Sequence, residues 1–143
     1  MTTTDRTESA ADAQTRVRLA GLRPTRQRVA LARMLFSGPA RHVTAETLHG
    51  EAGDEGVRVS LATVYNTLHQ FVRVGLLREV MVNPGRSYFD TNVGAHHHFF
   101  HETTGELEDI DAAQVDLSTL PAAPAGTRIE RVDVVIRLRD RQS

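Results

Sequence analysis

Three consecutive histidines, His96, His97 and His98, with His101 close behind, are the residues of this chain best equipped for chemistry. Imidazole nitrogen ligates divalent transition metals and haem iron. On an extended segment His96 and His98 project to one face and His97 to the other, so two imidazoles can grip one ion. A site normally needs about three protein ligands or more, and His42 and Asp90 are the candidates to complete it. A site made of His42, Asp90, His96 and His98 would staple the front of the chain to its rear, and occupancy would then fix the angle between them. Nitrogen and oxygen donors without thiolate suit iron, manganese or zinc and do not choose among them. Haem is the alternative ligand for His96, His97 and His98, with Phe99 and Phe100 adjacent as apolar surface.

A second group of residues fits nucleic acid. Residues 13–88 carry 11 arginines against five acids, net +6, whereas residues 89–143 carry five arginines against ten acids, net −5. That asymmetry, hidden in an overall charge of −1, points to a polyanion partner for the front half. Ser60, Thr63, Tyr65 and Asn66 share the exposed side of an expected helix. Asn can pair an adenine edge, and Thr and Tyr can contact thymine methyls or phosphate. Arg23, Arg26, Arg28 and Arg86 would hold the backbone and set the register. The chain contains no lysine, and arginine forks suit phosphate; codon bias in an arginine-rich genome explains the same usage.

Composition removes other classes. With no cysteine, disulfides, thiolate zinc sites, iron–sulfur clusters and thiol catalysis are excluded. The sequence contains no G-x-S-x-G, Walker A, H-E-x-x-H or G-x-G-x-x-G pattern, so no enzyme is expected. No apolar run is long enough to span a bilayer and no signal-peptide pattern opens the chain, so a soluble, cytoplasmic protein without a membrane partner is expected.

The elements that must position these groups are legible in outline. Residues 1–12 are polar and aperiodic and read as a disordered tail. Helices are expected over 14–20, stopped by Gly21, and over 25–37, broken by Gly38-Pro39. A third, over 44–52, is capped by Thr44 and ended by Gly53, and a fourth starts at the Ser60 cap and closes at Gly75. In the fourth, Leu61, Val64, Leu68, Phe71 and Val72 fall at helical spacing for a buried face. Two strands, 76–82 and 86–90, flank the turn Asn83-Pro84-Gly85. Three helices followed by such a hairpin outline a winged helix-turn-helix.

Residues 91–95 read as a hinge. Beyond it, strands over 96–100 and 106–110, a short helix over 112–120 and an alternating strand over 129–138 complete a small second domain. The expected class is therefore α+β: a winged-helix DNA-binding domain over 13–90 and a small α/β dimerisation and sensing domain over 96–143. About 50 residues bury too little surface for a robust core alone, so a second copy is expected to complete it in a homodimer.

The segments GLRPTRQRVALARML (21–35), RHVTAETLHGEA (41–52), VSLATVYNTLHQFVRVGLLREV (59–80) and HHHFF (96–100) resemble the ferric uptake regulator (Fur) superfamily. More narrowly, YNTLHQF and YFDTNVGAHHHFF resemble its iron response regulator (Irr) branch. The resemblance implies a repressor of iron and haem metabolism genes, bound to an AT-rich palindromic operator and controlled by haem or by ferrous iron or manganese, with zinc possible in vitro. An ordinary Fur-type repressor, with manganese, zinc or ferrous iron as corepressor, is the alternative. The family's DNA contacts fall on Ser60, Thr63, Tyr65, Arg23 and Thr25. Its common arginine after the tyrosine is replaced by Asn66, as in the Irr branch.

The family's inter-domain ligands fall on His42, Asp90, His96 and His98, with one residue fewer between Asp90 and the histidines than is common. A second family site would fall on His97 and Asp109 but lacks its last histidine, which aligns near Val132. His101 and Thr104 stand where the family's C-x-x-C motif would, which implies no structural zinc of the four-cysteine type. The Cys-Pro haem motif of some Irr proteins is also absent, so any haem regulation would pass through His96, His97 and His98.

Overall fold

The computed structural model describes residues 8–142. It divides into two compact units, the first ending at Val93 and the second beginning at Gly94. Helices and small sheets share the chain, an α+β architecture. Among the described residues no helix is long and apolar enough to cross a membrane.

The first unit contains α1 (Ala10–Leu19), α2 (Arg26–Phe36), β1 (His42–Val43), α3 (Ala45–Asp54), α4 (Leu61–Arg73), β2 (Arg78–Asn83) and β3 (Arg86–Asp90). Each helix starts on a hydroxyl cap. Ser9, Thr25, Thr44 and Ser60 accept from the backbone N–H three residues on, satisfying a donor that has no partner inside the helix. The apolar stripes then close one core, in which Val17, Leu31, Leu35, Leu48, Val64, Leu68, Phe71 and Phe89 are fully buried. Strands β1, β3 and β2 form an antiparallel sheet in that order, and β2–β3 is the wing.

α1 begins at Ala10 rather than residue 14, so residues 10–12 are helical and not part of a tail. Ser9 and Asp12 form a reciprocal capping box, which the polar, acidic composition disguised. The expected tail over residues 1–7 lies outside the described residues. α3 runs past Gly53 to Asp54, and the chain turns back at Gly56, which takes the left-handed conformation (φ +75°). There Val57 N–H reaches back to Ala52 C=O at 2.8 Å, and Val57 packs against the core. A glycine ends a helix where an apolar residue follows it to fold back, and Gly53 has none. α4 ends the same way at Gly75 (φ +84°), with Leu76 N–H donating to Phe71 C=O.

The second unit contains β4 (His96–His101), β5 (Glu106–Asp111), a single 3₁₀ turn (Ala112–Gln114) and β6 (Val135–Leu138). β4 is the centre of the sheet, antiparallel to β5 and parallel to β6. The helix expected over 112–120 is only that one turn. Asp111 caps it and Asp116 accepts from Ser118 N–H, so local side-chain bonds compete with helix propagation. The expected ten-residue last strand pairs over only Val135–Leu138. Alternation reports two faces of an extended chain, not how much partner strand is available. Only Phe100 and Ile110 are buried hydrophobics among the described residues of this unit, while Leu120, Ile129 and Ile136 are exposed.

Candidate functional site

The two-residue strand β1, invisible in the sequence, places His42 opposite Asp90 at the end of β3. Opposed residues of a ladder share a face, so the two side chains meet: His42 Nε2 lies 3.3 Å from Asp90 Oδ2. Asp90 is almost wholly buried, and its Oδ1 accepts from Asn92 N–H at 2.9 Å, which fixes the carboxylate plane.

In the second unit His96 and His98 share one face of β4, their ring centroids 4.6 Å apart. Asp109 of β5 stands on that face as well. Its Oδ1 is 3.7 Å from His96 Nε2 and 3.5 Å from His98 Nε2, although the acid was not among the expected ligands of this group. The register explains it, since His98 pairs with Asp109 and His97 with Ile110. Asp109 therefore faces His98 and not His97, contrary to the pairing implied by the family resemblance. Counting the ladder outward from the Gly105 turn would have found it.

The tautomer of His96 follows from its neighbours. Its Nδ1 is 2.6 Å from Gly94 C=O. A carbonyl can only accept, so Nδ1 carries the hydrogen and the neutral ring presents Nε2 as a bare lone pair. Metal-binding histidines are commonly oriented by such a bond from the second ring nitrogen. His97 is engaged elsewhere, with Nδ1 accepting from Val134 N–H at 3.1 Å. His101 Nε2 lies 2.9 Å from Glu108 across the same ladder, at a more exposed position. Within each unit imidazole nitrogens thus meet a carboxylate, donors whose chemistry suits manganese, ferrous iron or zinc.

The other candidate surface is the outer face of α4. Ser60 and Asn66 are exposed and Thr63 and Tyr65 half-buried, while Val64, Thr67, Leu68 and Phe71 turn inward. Ser60 Oγ is already engaged, accepting from Thr63 N–H and donating to Thr63 Oγ1 at 2.9 Å. Arg23 is exposed just before α2, and Thr25 caps that helix. Arg28 joins α2 to α4: its Nε and Nη2 both donate to Gln70 Oε1, at 3.1 and 3.0 Å, and its Nη1 to Arg23 C=O. It is a strut more than a phosphate hand. Arg86 is exposed at the wing, its guanidinium over the Tyr88 ring and donating to the Tyr88 hydroxyl.

One residue of this face escaped the sequence reading. Glu46, near the start of α3, accepts a hydrogen bond from Tyr65 Oη at 2.7 Å. That bond, with its own backbone N–H and the Arg86 charge, holds the Glu46 carboxyl below the usual carboxylate range. The same bond pushes the Tyr65 hydroxyl above its ordinary value.

Comparison with known proteins agrees with these features. The family model described as "Ferric uptake regulator family" matches residues 19–137. The peroxide-responsive repressor PerR of Staphylococcus epidermidis is 34% identical over 100 residues, covering 70% of this chain and 66% of that protein, just under two thirds of its length. PerR of Staphylococcus aureus (strain Mu50) is 33% identical over 100 residues, 70% of this chain and 67% of the relative. Among solved structures, the ferric uptake regulator of Pseudomonas aeruginosa with manganese aligns at TM-score 0.68 and 30% identity, over 90% of this chain and 97% of that one. The Vibrio cholerae ferric uptake regulator aligns at TM-score 0.70 and 22% identity, over 90% and 100%, which supports the fold alone.

Proposed function

The chain belongs to the ferric uptake regulator family, and from that premise we propose that it is a metal-responsive repressor of transcription. Its relatives named above are regulators rather than enzymes. In this reading α4 enters the major groove of duplex DNA with Ser60, Thr63, Tyr65 and Asn66, while Arg23, Thr25 and Arg86 hold the backbone. The divalent-ion donors of this reading are His42 and Asp90 in the first unit and His96, His98 and Asp109 in the second.

The observation that carries the proposal is the course of β3. Arg86 stands at its wing end and Asp90 at its other end, so an ion held by Asp90 acts on the strand that carries the wing. A second copy would cover Leu120, Ile129 and Ile136 and complete the thin core of the second unit.

A finer reading, iron- and haem-linked control of the Irr kind, draws its support from the stretch YFDTNVGAHHHFF. Haem needs an imidazole with an open axial approach. His96, His97 and His98 are each exposed by 5% or less, so haem could enter only if β4 were uncovered. The divalent ion therefore takes precedence.

Fluorescence anisotropy on an AT-rich palindromic duplex, with the full-length protein metal-free, with manganese and with haem, tests both readings. Binding that manganese tightens, and that H96A/H98A makes indifferent to manganese, is the expected result. Release by haem without any manganese response would move the assignment to the Irr reading. Absence of sequence-selective binding under all three conditions would overturn the repressor.

A further inference from the structure

An acid on a DNA-reading face needs a reason, because phosphates repel it. Glu46 is exposed at the second residue of α3, and three elements converge on it. Thr44 caps α3, so the helix N-terminus favours the carboxylate there. Tyr65 of the recognition helix donates its only hydroxyl proton to Glu46 Oε2. The wing contributes the positive charge of Arg86.

Two consequences follow from the donor inventory. A tyrosine hydroxyl whose proton is engaged can offer an incoming base only lone pairs. It would therefore match the amino group of cytosine or adenine in the major groove and not a carbonyl acceptor. The bond also removes the rotational freedom of the ring, placing its edge before DNA arrives. Meanwhile the Glu46 charge opposes the arginines of the same face, which weakens attachment to any phosphate backbone regardless of sequence.

We propose that Glu46 is a specificity-determining positioning residue: it holds Tyr65 as a hydrogen-bond acceptor toward the operator, while its charge weakens sequence-independent attachment to the backbone. This rests on the DNA-binding reading above and adds a role that reading does not contain.

The test starts with manganese-loaded full-length protein and a duplex enriched by it from a random-sequence library, compared with a shuffled duplex of equal composition. E46A should lower the preference for the enriched duplex by about tenfold, while affinity for the shuffled duplex rises several-fold. E46Q, which keeps an acceptor without the charge, should raise shuffled binding in the same way but retain most of the preference. Y65F should lose preference as E46A does, and E46A should cost nothing further in the Y65F background.

Ultraviolet titration of tyrosine without DNA checks the bond itself. One tyrosine should ionise at lower pH in E46A than in wild type, and the difference should vanish in Y65F. If wild type enriches no sequence, the DNA reading falls and the inference with it. If wild type enriches a sequence and E46A keeps full preference, or the E46A and Y65F losses add, only the inference falls. Identical tyrosine titrations in wild type and E46A would likewise overturn it, as would an E46Q that loses as much preference as E46A.

Discussion

His98 stands directly across the β4–β5 ladder from Asp109, its Nε2 3.5 Å from the carboxylate. The relationship gives the histidine run an acidic partner from its own unit. It also separates the run by function, because His97 faces the other way and anchors Val134. A carboxylate and two imidazoles on one strand pair provide a local clamp, and the ladder hydrogen bonds hold it in register before any ion binds.

Replacing Asp109 with Asn should therefore weaken manganese binding by at least about tenfold, the scale of a lost ligand or ligand partner. Isothermal titration of the metal-free protein reads this directly. The ladder is preserved in D109N, so thermal stability without metal should change little. Unaltered manganese affinity would show that Asp109 serves only as an exposed edge residue.

Loading should also fade toward acid. A ligand imidazole must be neutral, so protons compete with the ion for the histidine nitrogens. Manganese affinity measured from about pH 8 down to about pH 5.5 should fall steadily as protons compete for the ligand nitrogens. A flat profile would mean that carboxylates alone hold the ion.

Much of this was legible in the chain. Ser60, Gly75 and the apolar spacing of Val64, Leu68 and Phe71 locate α4 without ambiguity, because caps and periodicity are local signals. The histidine run announces candidate ligands by residue type alone. What stayed hidden depends on partners distant in sequence. β1 exists only because β3 offers it an edge, Asp109 joins His96 and His98 only through strand register, and Glu46 meets Tyr65 only when α3 packs on α4. The ten-residue alternation that contracts to Val135–Leu138 fails for the same reason, since a pattern cannot count its neighbours.

Gly75 offers a clean measure of backbone strain. Its φ of +84° lies in the left-handed region, and a Cβ built there meets nothing within 4 Å. Any loss in G75A therefore reports conformation and not collision. It should lower stability by about 1–2 kcal/mol in urea unfolding, the cost of a left-handed L-residue. A loss well beyond that would indicate that the end of α4 shifts and carries the start of β2 with it.

The tyrosine–glutamate bond makes a further prediction about pH and stability, independent of DNA. Glu46 titrates lower in the folded protein than in the unfolded chain, so its contribution is present above the unfolded value near 4.5 and is lost as pH falls through the folded value. Tyr65 titrates higher when folded, so its contribution is present below about 10 and is lost as pH rises through the folded value. Glu46 is exposed and Tyr65 only half-buried, and solvent screening keeps the gain small. Comparing wild type with E46Q, the stability difference should narrow as pH falls below 4.5 and through the folded value, beneath which wild-type Glu46 is protonated and the two side chains carry the same charge. As pH rises above 10 and through the folded value of Tyr65, the difference should shrink again, because a phenolate no longer donates to the carboxylate. Paired urea melts at about pH 3, 7 and 11 decide it, and a difference independent of pH would show that the bond contributes nothing to folding.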